Sequence, residues 1–256
     1  LANTSNSFGG AVTLSTTGTG ADVSIDGGTG TLDIAASSIG GDLTLTSGHT
    51  SGITDSGTLT IGGNLSATTD AGNGVVDLGT LAVDGAVALT THGSGDATVV
   101  NDAALTFAAS SVAGALSATA TTGNIIDNAT VTVGGNFAGT ATADDATVNL
   151  GTLAVDGTVA LTTNGSSGNV TVVNDAGLAF AASTVDGTLS ATATTGNITD
   201  SGALTISGTS SFVTSADDAD ITLDTATNAF TGAVSVTSTD TNTGDQEDVT
   251  IVNATD

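Results

Sequence analysis

The sequence contains no lysine and no arginine, whereas its 26 aspartate and glutamate residues give a formal net charge of −26. No carboxylate can therefore form a salt bridge with a Lys or Arg side chain. Each one must be stabilised by water, by backbone N–H groups or by dissolved cations. Because phosphate binding depends on Lys and Arg, we exclude nucleic acid and anionic membranes as direct electrostatic partners. Bound metal ions, by contrast, are expected.

Cysteine, proline, methionine, tryptophan and tyrosine are also absent, and six phenylalanines are the only aromatic residues. The lack of cysteine excludes disulfides, thiolate chemistry and Cys-based zinc sites. The interior must be filled by Val, Ile, Leu, Ala and Phe, which favours a thin, regularly layered core. No run is long enough for a transmembrane helix, so we expect no direct membrane insertion. The chain starts at Leu1 inside a repeat, so we expect a processed product or a segment of a longer protein.

The 36 glycines, together with abundant Thr, Ser, Asn and Asp, raise the alternative of a disordered chain. However, β-branched residues recur throughout and the mean hydropathy is positive, at +0.30. Disordered segments combine low hydrophobicity with high charge, so a folded chain is the better interpretation.

Long internal repeats dominate the sequence. "LGTLAVDGAVALTTHG" at 78–93 returns as "LGTLAVDGTVALTTNG" at 150–165, and the similarity continues through "TVVND" and "SATATTGNI" at nearly the same offset. "LANTSNSFGG" at 1–10 likewise resembles "LDTATNAFTG" at 223–232. We therefore expect one continuous domain over 1–256, with super-repeats at about 8–82, 83–154 and 155–229 and a partial repeat at 230–256.

A shorter motif occurs ten times, with an apolar residue two positions before a glycine, as in "VDGAVAL". The glycines are Gly10, Gly41, Gly63, Gly85, Gly114, Gly135, Gly157, Gly187, Gly208 and Gly232, at a mean spacing of about 25 residues. The preceding apolar residues are Phe8, Ile39, Ile61, Val83, Val112, Val133, Val155, Val185, Ile206 and Phe230. All are β-branched or Phe, which fits a strand with one buried face.

A unit of this size cannot bury its own apolar face and must stack on its neighbours. The sequence thus predicts an all-β fold, a parallel β-helix (β-solenoid) with about ten coils of about 25 residues, grouped in super-repeats of about 72–75 residues. At about 4.8 Å per coil the rod would be roughly 50 Å long. The longest glycine spacings should bulge outward, as at His92–Asp96. At Ser210 the motif is broken, and a small register change would let Phe212 fill the gap.

The runner-up fold is a row of β-sandwich domains, one per super-repeat. The recurrence of the short motif within each super-repeat argues against it, because sandwich strands need not resemble one another. The residues leave the handedness of the solenoid open.

Phrases such as "LTIGGNLSATTDAGNG" (59–74), "TVTVGGNFAGTA" (130–141) and "TTGNITDSGALTISG" (194–208) resemble the repeats of filamentous haemagglutinin-like large exoproteins of bacteria. The resemblance covers essentially the whole chain. It implies a right-handed parallel β-helix, export as an unfolded chain, and a role in adhesion, biofilm or surface display. The family's N-terminal secretion domain is not visible, which leaves the export route open.

Enzymes also use parallel β-helices, so we considered recurring carboxylates. Asp55, Asp127 and Asp200 recur in "ITDSG"-like text. If a super-repeat is three coils, they lie about 14 Å apart, too far for a glycosidase pair, which needs roughly 5 to 9.5 Å. Lyases of this architecture need Lys or Arg, and sugar stacking needs Trp or Tyr. We expect no catalytic residues and interpret these Asp residues as turn caps.

Calcium is the better-motivated ligand, with solvated acidic loops as the alternative, and we predict no required cofactor. The loop "DTNTGDQED" concentrates the oxygen ligands that a hard cation needs: Asp240, Asn242, Asp245, Glu247 and Asp248. "GGTGTLD" at 27–33 resembles a single RTX turn with one residue too many, and acidic tips lie at 143–146 and 216–220. His49 and His92 are interpreted as solvated loop residues, since Asn164 replaces His92 in the next copy.

Pairs such as Thr44/Thr46, Thr58/Thr60 and Thr130/Thr132 raise the idea of ice binding on a flat threonine array. Their phase shifts relative to the motif glycine, so we do not expect a flat ladder.

The sequence therefore predicts a non-enzymatic, extracellular rod segment of a bacterial cell-surface protein, for attachment or biofilm. Its expected partners are neighbouring solenoid segments, copies of itself, or glycans and proteins at host or cell surfaces. Two alternatives remain: a self-assembling filament or sheath subunit that stacks head to tail, and a polysaccharide-active β-helix enzyme.

Overall fold

The computed structural model describes residues 1–70, 72–239 and 247–255, which contain 29 strands. The strands are β1 (Val23–Asp26), β2 (Leu32–Ile34), β3 (Ser37–Ile39), β4 (Leu43–Ser47), β5 (Ile53–Asp55), β6 (Leu59–Ile61), β7 (Leu65–Thr69), β8 (Val76–Val83), β9 (Ala86–Thr90), β10 (Ala97–Asn101), β11 (Leu105–Phe107), β12 (Ser110–Val112), β13 (Leu116–Ala120), β14 (Ile125–Asp127), β15 (Val131–Val133), β16 (Phe137–Asp144), β17 (Val148–Val155), β18 (Thr158–Asn164), β19 (Val170–Asn174), β20 (Leu178–Phe180), β21 (Ser183–Val185), β22 (Leu189–Ala193), β23 (Ile198–Asp200), β24 (Leu204–Ile206), β25 (Ser210–Thr214), β26 (Ile221–Leu223), β27 (Ala229–Phe230), β28 (Val234–Thr237) and β29 (Val249–Ile251).

The strands form two parallel sheets that enclose one core. Sheet I contains β1, β4, β7, β9, β11, β12, β14, β15, β17, β19, β22, β25 and β28, and sheet II contains the remaining strands. The chain passes alternately through the two sheets, and each strand hydrogen-bonds to strands one coil before and after it. The predicted β-solenoid of about ten coils is confirmed.

Most coils are shorter than the motif glycines suggested, although the pairing of Ile221 with Val249 spans 28 positions. In sheet I, Leu43 pairs with Leu65, and Leu65 with Val87, each 22 positions later. In sheet II, Ala97 pairs with Leu116, 19 positions later. The longest spacings between motif glycines therefore do not correspond to long coils.

Those long spacings arise because a super-repeat of about 72 residues spans three and a half coils. Gly85 stacks on Gly63, where an added Cβ would lie 2.4 Å from the Gly63 carbonyl oxygen. The next motif glycine, Gly114, instead stacks on Gly95 at the opposite corner of the coil. From Gly85 to Gly114 the motif therefore advances by one and a half coils, which places it on the opposite side of the rod.

The expected outward bulge at His92–Asp96 is accordingly wrong. These residues form an ordinary corner, in which the Gly95 N–H donates to the His92 carbonyl and the Asn73 N–H of the coil below donates to the same oxygen. The coil that contains this corner is not lengthened, because Val87 pairs with Phe107, 20 positions later.

As a result, the two sheets exchange roles along the rod. Each coil contributes a single strand, usually of five residues, to one sheet and a pair of three-residue strands, or their eight-residue fusion, to the other. Sheet I carries single strands at β4, β7 and β9, strand pairs from β11 to β15, and single strands again from β19. Sheet II follows the opposite order.

The core consists of the alternate, inward-facing residues of both sheets. Nine of the ten predicted motif positions are buried, and Phe8 is partly buried. At Ser210 the expected register change is wrong: Leu189 pairs with Ser210 and Ala191 with Phe212 in unbroken register. The Phe212 ring instead makes edge contacts with two other rings, at 6.4 Å to Phe180 and 5.9 Å to Phe230.

Aspartate and asparagine side chains tie neighbouring coils together at the corners. Asp42 Oδ1 accepts a hydrogen bond from the Asn64 N–H, and Asn64 Oδ1 accepts one from the Ala86 N–H. Asn136 Oδ1 does the same for the Thr158 N–H on the other side of the rod. Backbone N–H groups thus supply the stabilisation that Lys and Arg would otherwise provide.

Within the described residues, no helix is long and apolar enough to cross a membrane.

Candidate functional site

Two β-bulges mark the coils at which the sheets exchange roles. Strand β8 has eight residues, whereas the strand above it, β10, has five. Val99 pairs with Leu78 and Asn101 with Leu81, so Gly79 and Thr80 together oppose a single residue. The register of β17 against β19 shifts in the same way. A bulge leaves backbone groups without ladder partners.

Carboxylates from the coil below hold the N–H groups of both bulges. Asp55 Oδ1 accepts from the Gly79 N–H (2.9 Å), and Asp55 Oδ2 accepts from the Thr80 N–H (2.8 Å) and hydroxyl (2.7 Å). Asp127 makes the same three bonds one super-repeat later, at 2.9, 2.8 and 3.0 Å. We call this arrangement the bulge clamp.

The third recurring carboxylate, Asp200, accepts from the N–H groups of Asp224 and Thr225 and from the Asn228 side chain. The expectation that these carboxylates bond backbone N–H groups is confirmed, but the N–H groups belong to the next coil and not to the turn beside each Asp. Their assumed separation of three coils is wrong, because Asp127 lies in sheet I whereas Asp55 and Asp200 lie in sheet II. The geometry does not bring them together as a catalytic pair.

A shallow groove lies over each bulge, with a volume of about 280 Å³ at the first and about 260 Å³ at the second. The lining residues are identical in type at all seven positions. The first groove is lined by Thr58, Gly79, Thr80, Leu81, Val100, Asp102 and Thr121, and the second by Thr130, Gly151, Thr152, Leu153, Val173, Asp175 and Thr194. We call these the paired grooves. They open on opposite sheets, and sequence reasoning missed them.

The central glycine of each groove has no steric reason to be glycine. A Cβ at Gly79 would meet nothing within 4 Å, and one at Gly151 only Asp127 Oδ1 at 4.0 Å. Neither glycine has a positive φ. Since glycine weakens a strand interior, it often marks a place where another group approaches closely. In the third repeat the equivalent residue is Asp224.

Of the calcium candidates, Asp240, Asn242 and Asp245 lie outside the described residues. Glu247 is described, and its carboxylate lies with those of Asp217 and Asp218 in a group whose oxygens are all within 4.8 Å, close enough to hold one metal ion. The pairing of Ile221 with Val249 brings the two acidic loops together from neighbouring coils. The fifth candidate, Asp248, donates its N–H to Asp220 Oδ1.

The RTX-like stretch at 27–33 forms a corner followed by β2. Its Gly28 N–H donates to Asp26 Oδ1. Among the described residues, the cluster of Asp217, Asp218 and Glu247 is the only group of three or more potential metal ligands.

Both histidines lie in corner loops, as expected, and bond to local backbone. His49 Nδ1 accepts from the Ser51 N–H at 3.0 Å. His92 Nδ1 lies 2.7 Å from the Thr69 carbonyl oxygen, and Asn164 Nδ2 donates to the Thr142 carbonyl in the same way. The replacement of His92 by Asn164 therefore preserves a structural contact.

One member of two of these pairs, Thr46 and Thr132, lies in a continuous row of hydroxyl-bearing residues, whereas Thr60 lies in sheet II between Ser38 and Ala82. The flat two-row threonine ladder is absent from these coils, as the sequence analysis expected. Outward residues stack in the order Thr46, Thr68, Thr90, Ser111 and Thr132 across five coils of sheet I. The position of these residues relative to the motif glycine changes along the chain. The half-coil displacement of the motif compensates for this change, so the residues still lie in one row. The neighbouring row is not a threonine row, because Thr44 is followed by Ser66 and Ala88.

Removing a bulge clamp should destabilise the rod. We expect Asp55→Ala and Asp127→Ala each to lower the free energy of unfolding by about 2 kcal/mol, since two backbone N–H groups lose charged acceptors. Urea unfolding followed by circular dichroism measures this, because the chain has no Trp or Tyr for fluorescence. Asp84→Ala, at an exposed position, is the control. Equal losses in all three variants would contradict the clamp.

Comparison with known proteins identifies a repeat family. The family described as repeats of unknown function (DUF5649) matches residues 20–90, 94–138 and 167–237, well over half of the chain. No curated protein and no solved structure matches the chain. The family match fits a repetitive β-helix protein but does not name the haemagglutinin-like exoproteins. The chain belongs to the family of repeats of unknown function, DUF5649.

Proposed function

We propose that the chain is a stiff, non-enzymatic rod segment of a secreted bacterial cell-surface protein, which serves attachment or biofilm formation. The observation that carries this proposal is the continuous core, which runs between two parallel sheets through about ten coils. A repetitive β-solenoid fits a structural, rod-like protein.

The stiffness follows from the contacts between coils. Each coil is hydrogen-bonded to its neighbours on both sheets and is also tied to them by the corner caps, as at Asp42 and Asn136. Bending the rod would stretch a ladder on one side while compressing the interdigitated core on the other. A chain built in this way suits the task of holding a binding region away from a surface.

A non-enzymatic role is supported by the use of the recurring carboxylates. The carboxylates of Asp55, Asp127 and Asp200 accept hydrogen bonds from backbone N–H groups of the next coil. We propose an extracellular location, because a chain without thiols is suited to crossing a membrane unfolded. The proposed partners are neighbouring segments, copies of the chain, or surface glycans and proteins.

We also propose calcium as a stabilising ligand at the cluster of Asp217, Asp218 and Glu247, with no cofactor required for folding. Calcium favours carboxylate oxygens in flexible loops. We expect millimolar calcium to raise the melting temperature of the native chain, and Asp217→Asn/Asp218→Asn to abolish the increase. Magnesium at equal ionic strength separates specific binding from charge screening. An unchanged melting temperature after calcium removal would contradict the site.

A self-assembling filament is the second candidate. Among the described residues, the exposed large apolar side chains are Leu1, Val234, Val249 and Val252, and the last three lie on the last described coil. In a solenoid, the outer edge of a terminal coil is the surface onto which a coil of another copy can stack.

Electron microscopy of the purified chain at several concentrations, with and without calcium, tests the proposal. We expect short, monodisperse rods about 50 Å long, from about ten coils at the parallel-strand spacing. Long fibres with an axial repeat of about 4.8 Å would favour the filament instead. Compact, globular particles would contradict both candidates.

A further inference from the structure

We propose that the paired grooves are binding sites for arginine side chains of a basic partner protein. The proposal stands apart from the spacer role, because rod dimensions are measured without any partner. It rests on the shape of the grooves, on their duplication and on the hydrogen-bonding state of their rims.

Both grooves are kept open by a glycine that the fold does not require. A valine at Gly79 would extend into free space, yet both copies have glycine there, whereas the third repeat has Asp224 at the equivalent position. The half-buried Val100 side chain supplies apolar surface in the groove, whereas the Leu81 side chain is buried in the core. Apolar surface beside a polar rim suits an amphipathic side chain with a charged end.

Two of the three threonine hydroxyls in the first groove already donate their protons, so they face an incoming ligand as acceptors. The Thr80 hydroxyl donates its one proton to Asp55, and the Thr121 hydroxyl donates its proton to the Asp102 carbonyl at 2.8 Å. The Asp102 side chain is a carboxylate, which also only accepts.

The second groove repeats this polarity. The Thr152 hydroxyl donates to Asp127, and the Thr194 hydroxyl donates to the Asn174 carbonyl at 2.8 Å. The carboxylate at this rim is Asp175. Two independent copies thus offer the same set of acceptors.

A guanidinium group is the complement of such a rim. It has five N–H donors, no acceptor and a permanent positive charge, and its planar face packs on apolar surface. These 256 residues contain no Arg or Lys and carry a net charge of −26, so the group must come from outside them, and we assign it to a basic partner protein. Because the grooves face opposite sheets, one rod can hold two partner molecules at once.

Nuclear magnetic resonance of the 15N-labelled full chain tests this at about 0.15 M salt, where surface charges are screened. The probe is a capped Gly-Ser-Arg-Ser-Gly peptide, and its matched control has neutral citrulline in place of arginine. We expect saturable shifts at the amides of Gly79, Thr80, Gly151 and Thr152. The citrulline peptide should bind about ten-fold more weakly or not at all.

Two double variants separate the groove from general electrostatics. Gly79→Val/Gly151→Val fills both grooves without changing charge and should weaken binding about ten-fold, as should Asp102→Asn/Asp175→Asn. Asp84→Asn/Asp144→Asn removes the same charge from exposed positions elsewhere and should leave the affinity unchanged. If the valine variant perturbs the fold, the affinities of Asp102→Asn/Asp175→Asn and Asp84→Asn/Asp144→Asn are compared to decide whether the grooves bind the peptide.

Three results would overturn the assignment. Equal binding of the citrulline peptide would show that the positive charge is irrelevant. Equal weakening by Asp84→Asn/Asp144→Asn would reduce the interaction to diffuse attraction. Shifts at the groove amides with methyl mannoside, but none with the arginine peptide, would assign the grooves to sugars instead.

Discussion

The hydrogen-bond ladder between successive coils is the constraint on which the rest of the structure depends. Each strand must meet the strand one coil earlier in register, so extra residues must be accommodated in the corners or bulges, and the paired positions lie between 19 residues (Ala97 and Leu116) and 28 residues (Ile221 and Val249) apart. The super-repeat of about 72 residues is not a whole number of such coils. The mismatch of half a coil places equivalent residues of successive copies on opposite sheets and creates the bulges at Gly79 and Gly151.

Because the chain lacks Lys and Arg, backbone N–H groups of neighbouring coils are the main hydrogen-bond partners of the carboxylates. Carboxylates and side-chain amides at corners and bulges accept N–H groups of the next coil, as Asp42 and Asp55 do. Such bonds to ionised acceptors are shorter and stronger than neutral ones. The carboxylates at the rims of the paired grooves, Asp102 and Asp175, are the basis of the proposal that a cationic side chain binds there.

Much of the fold could be predicted from the sequence, because burial leaves a regular apolar signal. The motif positions from Ile39 to Phe230 are buried as predicted. Turn chemistry predicted that Asp55 bonds backbone N–H groups, but not that these groups lie in a bulge one coil away. The half-coil displacement could not be predicted in this way, since a repeat in the sequence records similarity and not where a coil closes. For the same reason the groove residues Thr58, Gly79, Asp102 and Thr121, which come from four successive coils, carry no joint sequence signal.

The half-coil displacement is tested most directly by disulfide formation, which is clean in a chain without native cysteine. Thr90 pairs with Ser111 in the ladder of sheet I. If one long coil ran from Gly85 to Gly114, Thr90 would instead pair with Thr119. In the structure, Thr119 lies in sheet II. Disulfides need Cα atoms within about 7 Å. We predict that Thr90→Cys/Ser111→Cys oxidises readily and that Thr90→Cys/Thr119→Cys does not. The reverse result would contradict the account.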